Sequence, residues 1–178
     1  MEFLTTKLEG LKLVKLRKNT DLRGFFSRLF CNKEFAKENL NFSIDQINYS
    51  FNRLKGTLRG LHFQKAPYEE KKIIFCVRGK AFDVVVDIRK GSKTFGKYET
   101  FLLSEETDEI ILIPKGMAHG FQTLEDNTDL LYFMNGIYNK ESASGVTWND
   151  NKLKIPWPLE NKIISEKDKN LKSLKELV

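Results

Sequence analysis

The chain has 178 residues, a length that suits one domain, and its 40% apolar content is enough for a sizeable core. The formal charge of +6 comes without any Lys/Arg run interleaved with aromatics. Nucleic-acid binding is therefore not expected, whereas a phosphate-bearing small molecule, which needs only a few fixed cations, fits. No apolar run is long enough to span a bilayer, and "MEFLTTKLEG" lacks the basic-then-apolar pattern of a signal peptide. Cys31 and Cys76 form neither a metal-ligand spacing nor a disulfide framework, so a reduced, cytoplasmic setting is the expectation.

In chain order, "GLKLVKLRK" alternates like a strand and "RGFFSRLF" is aromatic-rich. "NKEFAKENL", residues 32 to 40, reads as a short helix. "FSIDQINYSF", "TLRGLHFQ", "KIIFCVRG", "AFDVVVDIR", "ETFLLS", "EIILIPKG", "HGFQTLE" and "DLLYFMNGIY" follow as β-type runs. Turn residues separate them, at Lys55-Gly56, Arg78-Gly79, Lys90-Gly91-Ser92, Pro114-Lys115-Gly116 and Asp126-Asn127. Near the end, Ser165 and Asp168 read as a capping box, with Asp in place of Glu, before a C-terminal helix "KNLKSLKELV". Many short strands with two flanking helices predict an all-β sandwich or barrel, a single domain over residues 1–178 without internal repeats. A barrel of roughly eight or more strands holds a small ligand in its mouth.

The chain has two histidines, His62 in "RGLHFQ" and His119 in "PKGMAHGF". Metal centres in such barrels need two or three His plus a carboxylate, and this chain has no H-x-H pair, so no metal is expected. A serine nucleophile is excluded because "SASGV" is no G-x-S-x-G elbow, and neither Cys stands in a motif with His. Acid–base chemistry remains. Histidine titrates near operating pH and suits a general base. Tyr132 and Tyr138, in "LLYFMNGIY", are the candidate acids, and Lys72 and Arg59 are candidate cations for a developing oxyanion. A lone strand histidine is also commonly a hydrogen-bonded structural residue, and strand tyrosines are commonly packing residues. Composition and spacing by themselves support an anionic-ligand-binding β-barrel.

"LRGLHFQ", "K-IIFCVRGKAFDVVVDIRKGSKTFGKYE", "IPKGMAHGFQTL", "LLYFMNGIYNKES-SG-TWND" and "IPWP...ISEKD", in this order from about residue 8 to residue 170, resemble the dTDP-4-dehydrorhamnose 3,5-epimerase family. The resemblance implies a cupin-type jelly roll without metal or other cofactor, spanning residues 8 to 150, and a homodimer in which strands cross between protomers. Residues 151–178 would return a carboxylate to the site. By position, His62 is implied as catalytic base, Asp168 as its carboxylate partner, Tyr132 as general acid and Lys72 as the cation near the sugar ketone. Arg59 is implied near the diphosphate; Gln46, Asn48, Arg23, His119 and Lys167 in contact with substrate; and Tyr138 in stacking near the base. The implied activity is inversion of C3, C5 or both in a nucleoside-diphospho-4-keto-6-deoxy sugar for surface polysaccharide synthesis. On this reading Arg59 and His62 lie two strand periods apart in a ligand-lined barrel. A C3-only epimerase, a ketoisomerase and a non-catalytic sugar-binding jelly roll are the alternatives.

The chain departs from the family pattern at several positions. Arg28, in "DLRGFFSR", stands where the family carries a Glu, and Ala143, in "ESASG", stands where it carries another. Both family acids lie near the nucleotide. An Arg pairs bidentately with guanine O6 and N7, so the double change leans towards a GDP-linked substrate with Arg28 at the base. "KAPYEEK" replaces the common "P-x-x-Q-A-K", and the loop "SFNRLKG" is one residue longer, so an unusual sugar such as a heptose is also considered.

With two histidines and no paired motif, turnover is expected to be unchanged by prolonged chelation with EDTA. Loss of activity that zinc or iron restores would contradict the acid–base reading.

Overall fold

The computed structural model describes residues 1–160 and 162–177. Its strands are β1 (Glu2–Thr5), β2 (Lys12–Lys15), β3 (Lys18–Asp21), β4 (Gly24–Ser27), β5 (Gln46–Asn52), β6 (Leu58–Gln64), β7 (Lys71–Arg78), β8 (Lys80–Asp87), β9 (Tyr98–Ser104), β10 (Glu109–Ile113), β11 (Met117–Thr123), β12 (Thr128–Asn135) and β13 (Ala143–Gly145). Two short helices, α1 (Asn32–Lys37) and α2 (Glu166–Lys169), accompany them. A six-stranded sheet runs in the order β1-β2-β10-β7-β12-β5 and a five-stranded sheet in the order β13-β6-β11-β8-β9; β3 and β4 form a separate hairpin. This is the all-β architecture that the strand pattern predicts and the cupin-type jelly roll that the resemblance implies.

The apolar runs "IIFC", "VVV" and "IILI" are continuous because these strands are covered on both faces. Between the sheets, Ile74 and Cys76 of β7, Val85 of β8 and Ile111 and Ile113 of β10 pack with Phe121 and Leu130. The alternate residues point outward. Ile73, Ile110 and Leu112 meet α1, whose Phe35 lies among Phe3, Phe30 and Phe42. Val84, Val86 and Ala118 meet the returning C-terminal segment through Leu153, Ile155 and Leu174. Strand parity then fixes what else faces inward. Lys72 follows the parity of Ile74, Asp83 that of Val85, His119 that of Phe121, and Tyr132 that of Leu130. One end of the inter-sheet space is therefore apolar and the other is polar.

The C-terminal segment differs from its expected helix. Ser165 does cap α2, its Oγ accepting from the Asp168 N–H at 3.1 Å, but α2 ends after one turn. The chain then extends so that Lys172 bridges Val146, and closes in a 3-10 turn at Leu174–Leu177. Burial of Leu174 against the outer face of the five-stranded sheet outweighs continued helix. The buried Asp150 carboxylate fastens this path, accepting from the N–H groups of Lys152 at 2.8 Å, Leu153 at 3.1 Å and Leu174 at 2.7 Å.

Asp150→Ala should thus leave buried N–H groups unpaired and cost roughly 2–4 kcal/mol. Urea unfolding should show a lower midpoint with an unchanged slope; a wild-type midpoint would contradict the role given to Asp150.

Candidate active site

Arg59 and His62 are three residues apart, one and a half strand periods rather than two, so a regular strand would turn them to opposite faces. The β6–β11 ladder resolves this. His119 pairs with His62 and Phe121 with Arg59, so three steps along β6 match two along β11. The extra residue is a β-bulge, which re-aims the side chains on either side of it. Gly60 sits in the bulge at φ +111°; a Cβ there would lie 2.6 Å from the Gly120 Cα and 2.7 Å from the His119 carbonyl oxygen. Gly120 is equally constrained, since its Cβ would lie 2.6 Å from the Arg59 carbonyl oxygen. Two facing glycines let β6 shift register, and Arg59 and His62 line the same pocket of about 340 Å³.

Each polar group in this pocket is held by a specific partner. His62 Nε2 lies 2.7 Å from Asp168 Oδ1, and the other oxygen of Asp168 accepts from the Gly60 N–H at 3.2 Å. One carboxylate so ties the imidazole to the bulge. Burial raises the Asp168 carboxyl, but the hydrogen bond and charge of His62, the Gly60 N–H and Lys167 outweigh it and hold the acid below its ordinary range. An ionised Asp168 only accepts, so Nε2 carries the proton and Nδ1 is the basic nitrogen of His62. Lys72 donates to the His62 carbonyl oxygen at 3.1 Å and pairs with Glu70 at 3.2 Å. Arg59 donates through Nε to Asn52 Oδ1 at 2.8 Å, leaving the outer guanidinium nitrogens for the pocket.

Within the five-stranded sheet His119 Nε2 lies 2.8 Å from Asp83 Oδ2, and its ring meets Tyr132 of the opposite sheet edge-on with centroids 5.8 Å apart. Burial pushes the Tyr132 phenol well up, the Asp83 charge pushes it further and Arg59 pulls it partly back. Tyr132 therefore keeps its proton across the physiological range and is a donor. His62 stands on β6 in the five-stranded sheet and Tyr132 on β12 in the six-stranded sheet. An imidazole with an open Nδ1 and a phenol that keeps its proton thus face one cavity from opposite walls.

Of the residues named from sequence, Asn48, Arg59, His62, Lys72, His119, Tyr132, Tyr138 and Lys167 line the pocket, and Asp168 backs it. Gln46 instead accepts from the Tyr138 N–H at 2.8 Å and so positions the loop at the mouth. Arg23 and Arg28 do not reach the pocket of their own chain. They lie on or beside the β3–β4 hairpin, where Arg23 pairs with Asp21 at 2.6 Å and Arg28 with Glu34 at 3.0 Å. Asp83 and Glu70 were missed. An acid inside the apolar run "AFDVVVDIR" was the signal for Asp83, and the departure at "KAPYEEK" was the signal for Glu70.

A family model described as dTDP-4-dehydrorhamnose 3,5-epimerase matches residues 5–176. The dTDP-4-dehydrorhamnose 3,5-epimerase of Sinorhizobium fredii is 40% identical over 178 residues, covering 99% of this chain and 91% of that protein. The crystal structure of the Bacillus anthracis dTDP-4-dehydrorhamnose 3,5-epimerase with TDP and PPi bound superposes with a TM-score of 0.94 at 39% identity, covering 97% of this chain and 98% of that one. The Legionella pneumophila dTDP-6-deoxy-D-glucose-3,5-epimerase in complex with dTDP-4-keto-L-rhamnose gives a TM-score of 0.94 at 36% identity, over 99% and 94% of the two chains.

Gly60→Ala should cost roughly 1–3 kcal/mol in backbone strain alone and lose activity with the bulge. Gly91→Ala is the control: its φ is +86° but nothing lies within 4 Å of the added Cβ. It should keep wild-type turnover. Comparable turnover in the two variants would separate the site from the bulge.

Proposed function

This chain belongs to the dTDP-4-dehydrorhamnose 3,5-epimerase family, and we propose that it inverts C3 and C5 of a dTDP-4-keto-6-deoxy hexose by proton transfer between His62 and Tyr132. It is an isomerase, a nucleotide-sugar 3,5-epimerase. The observation that carries the mechanism is the placement of the His62–Asp168 pair and the Tyr132 phenol on opposite walls of one pocket. The hydrogens on C3 and C5 are both α to the C4 ketone. Nδ1 of His62 removes one of them, and the electron pair moves onto the ketone oxygen as an enolate. The Lys72 ammonium stabilises that oxygen. Tyr132 then protonates the same carbon from the other face, the enolate collapses to the ketone, and the configuration is inverted. Solvent returns the proton from His62 to Tyr132. Arg59 and Lys167 provide the positive charge for the diphosphate.

The GDP-linked substrate and heptose considered from sequence find no support. The relatives act on dTDP-linked sugars by name, and the Arg28 guanidinium is engaged by Glu34. We take the substrate to be dTDP-linked and the chain to be cytoplasmic; among the described residues no helix is long and apolar enough to cross a membrane. A homodimer is part of the same reading. Among the described residues β5 is a sheet edge with no further strand beside it, and its outer face exposes Ile47, Tyr49 and Phe51; the β3–β4 hairpin exposes Leu22, Phe25 and Phe26. A second copy covering both would shield the edge. It would also give Arg23 and Arg28 a route to the partner's pocket.

His62→Asn should lower turnover by roughly two to four orders of magnitude, the range of general acid–base catalysis, with folding retained. Tyr132→Phe should suppress inversion more than exchange of the substrate proton with solvent, because His62 still removes and returns a proton on one face. Equal loss of both would contradict the division of labour. In calorimetric titration dTDP should bind more tightly than GDP; equal affinities would remove the nucleotide assignment.

A further inference from the structure

The Glu70–Lys72 pair is a charge pair inside the ligand pocket. The two side chains are 6% and 7% exposed and 3.2 Å apart. An apolar pair of the same volume is often at least as stable as such an ion pair, so stability gives no reason for it. Lys72 has three N–H donors. One meets Glu70 Oε1 and one the His62 carbonyl oxygen, which leaves one for the cavity. Glu70 Oε2 has no hydrogen-bond partner among the described residues although it is buried. Gly136, at φ +126°, packs on Glu70 so closely that a Cβ there would come within 3.2 Å of the Glu70 Cβ.

We infer that Glu70 is a positioning residue for proton abstraction: its carboxylate holds the Lys72 ammonium against the reacting carbonyl and supplies the counter-charge that the buried cation requires. This rests on the reading of Lys72 as the group that stabilises the enolate. The titratable and charged groups that share the pocket with Lys72 are Glu70 on its own segment, Tyr49 on β5, Arg59 and His62 on β6, His119 on β11, Tyr132 on β12, Tyr138 after it and Lys167 on α2, and the Asp83 charge of β8 also acts on Lys72. Burial lowers the proton affinity of Lys72, and the Glu70 charge, the Glu70 hydrogen bond and the Asp83 charge oppose that loss. Neutralising Glu70 leaves Asp83 as the opposing acid. Lys72 then loses its proton at lower pH, and with it the charge that stabilises the enolate.

The test is the pH profile of kcat for dTDP-4-keto-6-deoxyglucose in the wild type, Glu70→Gln and Glu70→Asp. The alkaline limb should move down by about one pH unit or more in Glu70→Gln, a tenfold loss of proton affinity, with the acid limb unmoved. Glu70→Asp, which keeps the charge but retracts it, should fall between the two. An alkaline limb that superimposes on the wild type, or an equal loss of rate at every pH, would overturn the inference. If Glu70→Gln is recovered unfolded, Glu70→Asp carries the test alone, and an unmoved limb in it overturns the inference equally. Failure of the wild type to turn the substrate over would instead remove the proposed function.

Discussion

The close approach of two backbones, β6 at Gly60 and β11 at Gly120, is the constraint on which the site depends. It is made possible by the absence of two side chains. Because β6 takes three steps where β11 takes two, a guanidinium and an imidazole at odd spacing reach the same cavity. The bulge also frees the Gly60 N–H from the ladder, and Asp168 uses it. Strand register, base orientation and the docking of α2 are therefore one arrangement.

A second regularity governs the electrostatics. Three functional groups each stand beside a buried carboxylate: His62 with Asp168, His119 with Asp83 and Lys72 with Glu70. Taking charge out of water is costly unless it is paired and hydrogen-bonded. The pairs fix each group in one orientation, and on the proposed function little reorganisation then remains for the reaction itself. Tyr132, its phenol pushed up by burial, is a neutral donor beside these pairs. The jelly roll supplies the remaining requirement. Its two sheets are two walls, and inversion at carbon needs a proton to leave from one side and arrive from the other.

Much of this was legible in the sequence, for definite reasons. Period-two alternation places Lys72, His119 and Tyr132 on the same inward face as the core residues two positions away, so their segments read correctly as strands. The pairing of His62 with Asp168 spans 106 residues. Resemblance to a family supplied it, whereas local pattern could not. The bulge was not legible, because it requires Gly60 to meet Gly120 across a ladder that no local rule specifies. The path after α2 was misread for a related reason: "KNLKSLKELV" has helical character, but Leu174 is claimed by the outer face of a sheet. Arg28 was read by its chemistry without its neighbour Glu34, which engages it.

The account centres on proton transfer through a pocket with a base on one wall and an acid on the other. Proton NMR of dTDP-4-keto-6-deoxyglucose incubated with the wild-type protein in deuterated water tests this most directly. The account predicts that the C3 and C5 proton signals disappear as deuterium enters both positions, with the product carrying inverted configuration at each. Exchange with retained configuration at both carbons, or no exchange at either, would contradict it.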